Sequence, residues 1–214
     1  MIISRGRRFL FVHIPKTGGT ALALALEARA MKDDIMTGDT PKALKRRRRL
    51  KEVQTSGRLW KHSGLSDIEG LVTAQDIQGL FTFTLVRNPW DRAVSYYHWL
   101  RDQSFEHAAV SLSKVLTFNE FIAHAQTKSS FMTNPYARYL TMRSGVEKCD
   151  LYIRLEHFKA DAQPLFDHLG FTLELQRVNS SERDADYRQY YSDESAAIVA
   201  ECCAADIKRF GFSY

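Results

Sequence analysis

Cysteine is scarce in this chain and long hydrophobic runs are missing. Its 214 residues include three cysteines, Cys149, Cys202 and Cys203. Two are adjacent and none has metal-ligand spacing, so neither a disulfide framework nor a zinc site is expected; free thiols suit a reducing compartment. No stretch reaches the length of a membrane span. The N-terminal Met-Ile-Ile-Ser-Arg-Gly-Arg-Arg runs into the first apolar segment and leaves no room for a signal peptide. A cytoplasmic protein is therefore expected. Repeats and low-complexity linkers are also lacking, and the length predicts one domain, residues 1–214, rather than two.

An acidic excess is absent too: the formal net charge is +5. Seven of the ten residues Lys42-Ala-Leu-Lys-Arg-Arg-Arg-Arg-Leu-Lys51 are cationic. Such a run suits an acidic polymer or a solvated face. No aromatics are interleaved with it to stack on bases, so no specific nucleic-acid partner is expected.

What the chain does contain is a strand–loop–helix pattern near its start. The apolar run Phe9–Ile14 has the length of a buried strand. Pro15-Lys16-Thr17-Gly18-Gly19 breaks it, and the segment Thr20–Met31 has strong helix propensity. A helix N-terminus behind a glycine turn binds anions, because its first N–H groups lack intrahelical acceptors and the helix dipole favours negative charge. Lys16 adds a mobile cation. The nucleotide P-loop G-x-x-x-x-G-K-[ST] places its lysine after the glycines, whereas here the lysine comes first.

A second β-prone run, Leu80–Val86, ends at Arg87, with Pro89 opening a helix that carries Ser95 about two turns in. An arginine at a strand's carboxyl end and a hydroxyl on the next helix can hold one phosphate. Open α/β sheets bind ligands at those carboxyl ends, so both anion sites are expected in one crevice. Leu151–Leu155 reads as a third buried strand. Helices are expected at Thr73–Gln78, Pro89–Asp102, Asn119–Gln126 and Ala160–Leu169, with a last one capped by Ser192 and closed by Gly211. This alternation predicts an α/β fold, a parallel sheet with helices on both faces.

The two segments H-I-P-K-T-G-G-T and V-R-N-P-W-D-R-A-V-S-Y-Y resemble motifs of the sulfotransferases that use 3′-phosphoadenosine 5′-phosphosulfate (PAPS). They are most similar to the branch of Golgi carbohydrate sulfotransferases and bacterial relatives. The likeness extends to Trp60-Lys-His-Ser-Gly-Leu65, Tyr152-Ile-Arg-Leu-Glu156, Asn179-Ser-Ser181, Tyr187–Tyr191 and Asp206–Phe212, which is nearly the whole chain. The resemblance implies a P-loop-like fold. It also implies that Lys16, Thr17, Gly18, Gly19 and Thr20 contact the 5′-phosphosulfate, and that Arg87 and Ser95 hold the 3′-phosphate. Asn179, Ser180 and Arg183 fall in a loop similar to the family's cofactor-closing segment, with Arg183 as a second 3′-phosphate ligand.

PAPS would then be the co-substrate, 3′-phosphoadenosine 5′-phosphate (PAP) the product, and a carbohydrate hydroxyl the acceptor. A sulfuryl group carries less charge than a phosphoryl group, so no metal is expected. Lys16 would neutralise the leaving oxygen. His62 is the expected general base, since histidine titrates near neutral pH and the resemblance places a catalytic histidine there; Glu27 is held in reserve. His13 is expected to pack beside the loop, and Trp90, Tyr96, Tyr97 and Trp99 to lie in the core. Two alternatives stand beside this reading: a phosphotransferase using ATP or GTP, and a non-catalytic basic module that binds an acidic polymer through residues 42–51.

Overall fold

Five strands make one mixed sheet in the computed structural model, which describes residues 1–176 and 183–214. They are β1 (Ile2–Ser4), β2 (Phe9–Val12), β3 (Ile35–Met36), β4 (Phe81–Val86) and β5 (Leu151–Arg154), in the order β3-β1-β2-β4-β5. The core β2-β4-β5 is parallel, with Val12 beside Thr84 and Thr84 beside Tyr152.

The edge departs from the expected all-parallel sheet. Strands β1 and β3 add two antiparallel pairings. The reason is local: four residues, 5–8, join β1 to β2, too few for a parallel crossover. The Arg8 amide closes this turn on the Arg5 carbonyl at 3.2 Å, with Arg8 at φ 56°. Strand β2 also ends at Val12, two residues before the apolar run does.

The chain divides into two compact units, Met1–Val86 with Tyr136–Val178, and Arg87–Pro135 with Asn179–Tyr214. The first holds the sheet. Phe9, Phe11, Phe83, Leu85 and Ile153 alternate onto one face, where they pack with Leu22 and Leu26 of α1 (Gly19–Ala28) and Leu165 and Leu169 of the helix Gln163–Leu169. The intervening residues Leu10, Val12, Thr82, Thr84 and Val86 are fully buried as well, so both faces are covered. The same unit carries α2 (Pro41–Arg46) and α3 (Ala74–Gly79), the latter opened by a Thr73–Asp76 capping box.

The second unit is built around α4 (Pro89–Arg101). Trp90, Val94, Tyr97 and Leu100 form its core with Phe118, Phe121 and Val199, and Tyr96 and Trp99 pack against that core at its margin. Trp90 and Tyr97 are core residues, as expected, whereas Tyr96 and Trp99 are half-buried at its edge. Two expected helices are each two. His124 separates Phe118–Ala123 from Ala125–Thr133 by accepting from the Gln126 amide, and Cys203 separates Asp193–Cys202 from Ala204–Phe210. In the first unit Ala162 likewise divides Phe158–Asp161 from Gln163–Leu169. Among the described residues no helix is long and apolar enough to cross a membrane.

Candidate active site

The carboxyl ends of β2 and β4 emerge side by side, because the two strands are parallel and paired through Val12 and Thr84. The chain leaving β2 becomes the lysine loop; the residue leaving β4 is Arg87. The loop is tightly braced. Thr17 is fully buried, and its hydroxyl donates to the Ile14 carbonyl at 2.9 Å. Lys16 sits half-buried at φ 65°, a left-handed conformation that costs a side-chain-bearing residue about 1 kcal/mol or more.

Gly18 (φ 85°) is the N-cap of α1, with no side-chain cap hydrogen bond and no acidic residue in the first turn. By contrast α3, α4 and the helix Asp193–Cys202 are capped by Thr73, Asn88 and Ser192. Among the described residues no side chain caps the N-terminus of α1, and uncapped first-turn N–H groups of this kind can receive an anion.

Both glycines also have packing reasons that the sequence does not display. A Cβ on Gly18 would lie 2.7 Å from Leu155 Cδ1, and one on Gly19 would collide with the His13 imidazole. His13 is therefore packed beside the loop, as expected, in a site where burial and then the neighbouring His62 hold its pKa well below the ordinary histidine value.

His62 reaches the same place from the other side. Its Nδ1 lies 2.8 Å from the His13 carbonyl oxygen, and the rings meet edge-on at 4.6 Å. A carbonyl only accepts, so Nδ1 carries the proton and the lone pair of the neutral ring is on Nε2. Burial pushes the pKa down to about 4, although the bond to the His13 carbonyl works the other way. His62 is neutral at physiological pH and able to accept a proton at Nε2. Trp60 stands edge-on to its ring at 5.0 Å.

Three of the competing histidines have structural roles. His107 and His124 accept from the Ala109 and Gln126 amides at helix starts. His168 bonds the Arg7 carbonyl and stacks on Phe81. Glu27, the reserve base, is buried: it accepts from the Thr40 hydroxyl and from the Lys42 amide at 2.8 Å, which caps α2. Arg154 is oriented by Asp161 through a two-pronged bond of 2.7 and 3.0 Å.

In the second unit the structure joins two residues far apart in sequence. Arg87 holds Asp91 Oδ2 at 2.6 Å from Nη2 and 2.8 Å from Nε, while Arg183 Nη2 holds Oδ1 at 2.6 Å. All three side chains are largely buried. Nη1 of Arg183 is buried with no hydrogen-bond partner among the described residues, and so is Nε2 of His98. Burial and then the charge of Arg183 lower the His98 pKa, so that ring stays neutral. Two guanidiniums share the Asp91 carboxylate, and a buried donor without an acceptor among the described residues can take an incoming anion.

Ser95 lies four residues beyond Asp91 on α4, hence on the same side of that helix, and is buried. Asp91 went unnoticed in the sequence, yet its spacing of four from Arg87 was the available signal. Asn179 and Ser180 lie outside the described residues. Cys149, Cys202 and Cys203 are half-buried thiols, none in a disulfide.

A family model described as the sulfotransferase family matches residues 1–213. No curated protein matches the sequence significantly. Among solved structures, mouse sulfotransferase SULT7A1 complexed with PAP is similar, with 17% identity and a TM-score of 0.49 over 96% of this chain and 86% of that one.

Proposed function

The chain belongs to the sulfotransferase family, and from that premise we propose that it moves a sulfuryl group from PAPS to a carbohydrate hydroxyl, releasing PAP. The observation that carries the choice of donor is the buried pair Arg87 and Arg183 on Asp91, with a donor of Arg183 unmatched among the described residues. Such a pair suits a phosphate ester with two negative charges. In this reading Arg87, Arg183 and Ser95 hold the 3′-phosphate, and Lys16, Gly18, Gly19 and Thr20 hold the 5′-phosphosulfate. Thr17 braces the loop through its hydroxyl.

The acceptor hydroxyl gives its proton to Nε2 of His62 while its oxygen attacks sulfur in line. The S–O bond to the phosphate breaks, and the electron pair leaves with PAP. Lys16 and the N–H groups opening α1 neutralise the charge growing on that oxygen. All 214 residues act together as one sulfotransferase domain, which the match over residues 1–213 supports. The thiols, none in a disulfide, support a reducing compartment such as the cytoplasm.

Thermal shift without metal tests the reading. PAP should raise the melting temperature well above the shifts given by ATP and AMP at equal concentration, by mass action. Equal responses to all three, or none, would reject it.

A further inference from the structure

The cationic run of residues 42–51 is not a uniform patch once folded. Arg46 donates to the Asp34 carbonyl at 2.9 Å, Arg49 to the Lys32 carbonyl at 2.7 Å and Lys42 to the Glu27 carbonyl at 2.6 Å. Those three pin the segment to its surroundings. Arg47 and Lys51 instead line a cavity of about 390 Å³, with Arg58, Lys61 and Trp60 on its other wall. Asp39 is the one acid among the described lining residues, and Lys61 neutralises it at 2.6 Å. Among the described residues no acid pairs Arg47, Lys51 or Arg58.

Trp60 is a shared wall. It lines this cavity and meets the His62 ring at 5.0 Å. Its side is 43% exposed, Leu44 on α2 is 52% exposed, and the Arg58 guanidinium lies 5.5 Å from the indole centre. The apolar surface is therefore an open platform rather than an enclosed slot. A sugar ring has one apolar C–H face and a rim of hydroxyls that stay in water, which suits a platform. One exposed aromatic without successors is no track for stacked bases.

We propose that this cavity is the acceptor subsite and that it selects an anionic carbohydrate, one bearing carboxylate or sulfate groups beside the hydroxyl to be modified. The proposal rests on the sulfotransferase reading above. Arg47, Lys51 and Arg58 pair the acceptor's charge, and Trp60 carries a sugar ring next to the base.

The test titrates three tetrasaccharides into the full chain by calorimetry, without PAP: a sulfated heparin fragment, a hyaluronan fragment with carboxylates only, and neutral maltotetraose. PAP release from PAPS is then followed with each. At least one anionic fragment should bind about tenfold or more tighter than maltotetraose, a difference expected of charge-assisted pairing, and should accelerate PAP release. Preference for one fragment identifies the anionic group.

Arg47→Ala, Lys51→Ala and Arg58→Ala should each weaken that binding several-fold. Lys45→Ala and Arg48→Ala, in the same run but off the cavity, should leave it as it is. Equal loss in all five variants, or in none, would overturn the proposal. So would equal binding of maltotetraose, or tighter binding of an acidic tyrosine-containing peptide or an oligonucleotide titrated alongside the three. PAP affinity is measured separately on the same samples. Its absence would sink the donor reading, whereas intact PAP affinity with no anionic preference would sink only the acceptor assignment.

Discussion

His62 donates its Nδ1 proton to the backbone carbonyl of His13, the residue that leads from β2 into the lysine loop. The bond fixes the imidazole tautomer and ties the proposed base to the lysine loop. Because the acceptor is main chain, no side-chain substitution at residue 13 abolishes it directly.

His62→Ala should lower turnover by about 10²–10⁴-fold, the usual contribution of a general base, while PAP affinity stays near wild type. In the wild type, kcat/KM reports the free enzyme, so its acid limb should fall near pH 4 rather than at the ordinary histidine value of 6.5. A limb at the ordinary value would show that a different group is titrating.

Stability should follow the same group. His62 titrates lower in the folded chain than in the unfolded one, so between pH 6.5 and about 4 the unfolded state binds more protons. Stability is therefore complete above pH 6.5 and drains away as pH falls through that window. The buried His13, lowered in the same direction, adds to the loss. Urea midpoints at pH 7 and pH 5 measure it, and His62→Gln should flatten the slope.

Arg87→Ala should raise the PAP dissociation constant by about tenfold or more, since charge-assisted bonds contribute ~1.5–3 kcal/mol. Arg183→Ala should act in the same direction, and kcat at saturating PAPS should change little for either. Calorimetric titration with PAP reads both. Unchanged affinity in Arg87→Ala would remove the 3′-phosphate assignment.

Lys16→Ala should show the opposite split. Its contact strengthens as charge grows on the leaving oxygen, so kcat should drop by about 10²–10³-fold with a smaller effect on PAP binding. Single-turnover rates with saturating PAPS separate the two.

Two glycine substitutions make a matched pair. Gly19→Ala puts a methyl into the His13 ring and should cost about 1–3 kcal/mol, seen as a lowered melting temperature. Gly79→Ala meets nothing within 4 Å at the end of α3 and should be neutral or gain up to about 1 kcal/mol.

Much of the local structure was legible because it is local. The apolar run before Pro15, the glycine pair, Thr73 ahead of α3, Asn88-Pro89 ahead of α4 and Ser192 ahead of the helix Asp193–Cys202 are signals carried within a few residues. Strands β1 and β3 escaped notice because three and two residues give no periodicity to read. The split at His124 escaped because a histidine seldom announces itself as a cap.

The sequence by itself determined the β–loop–α unit and the order of the two candidate anion motifs, since each depends on neighbours along the chain. Only the folded structure decided that Asp91 joins Arg87 to Arg183, that His62 presents Nε2, that Glu27 caps α2, and that Arg47 and Lys51 face a cavity while Arg46 and Arg49 do not. Each of these rests on residues brought together from distant or oppositely facing positions. Partners of that kind are selected by where the chain returns in space, which no spacing along it records.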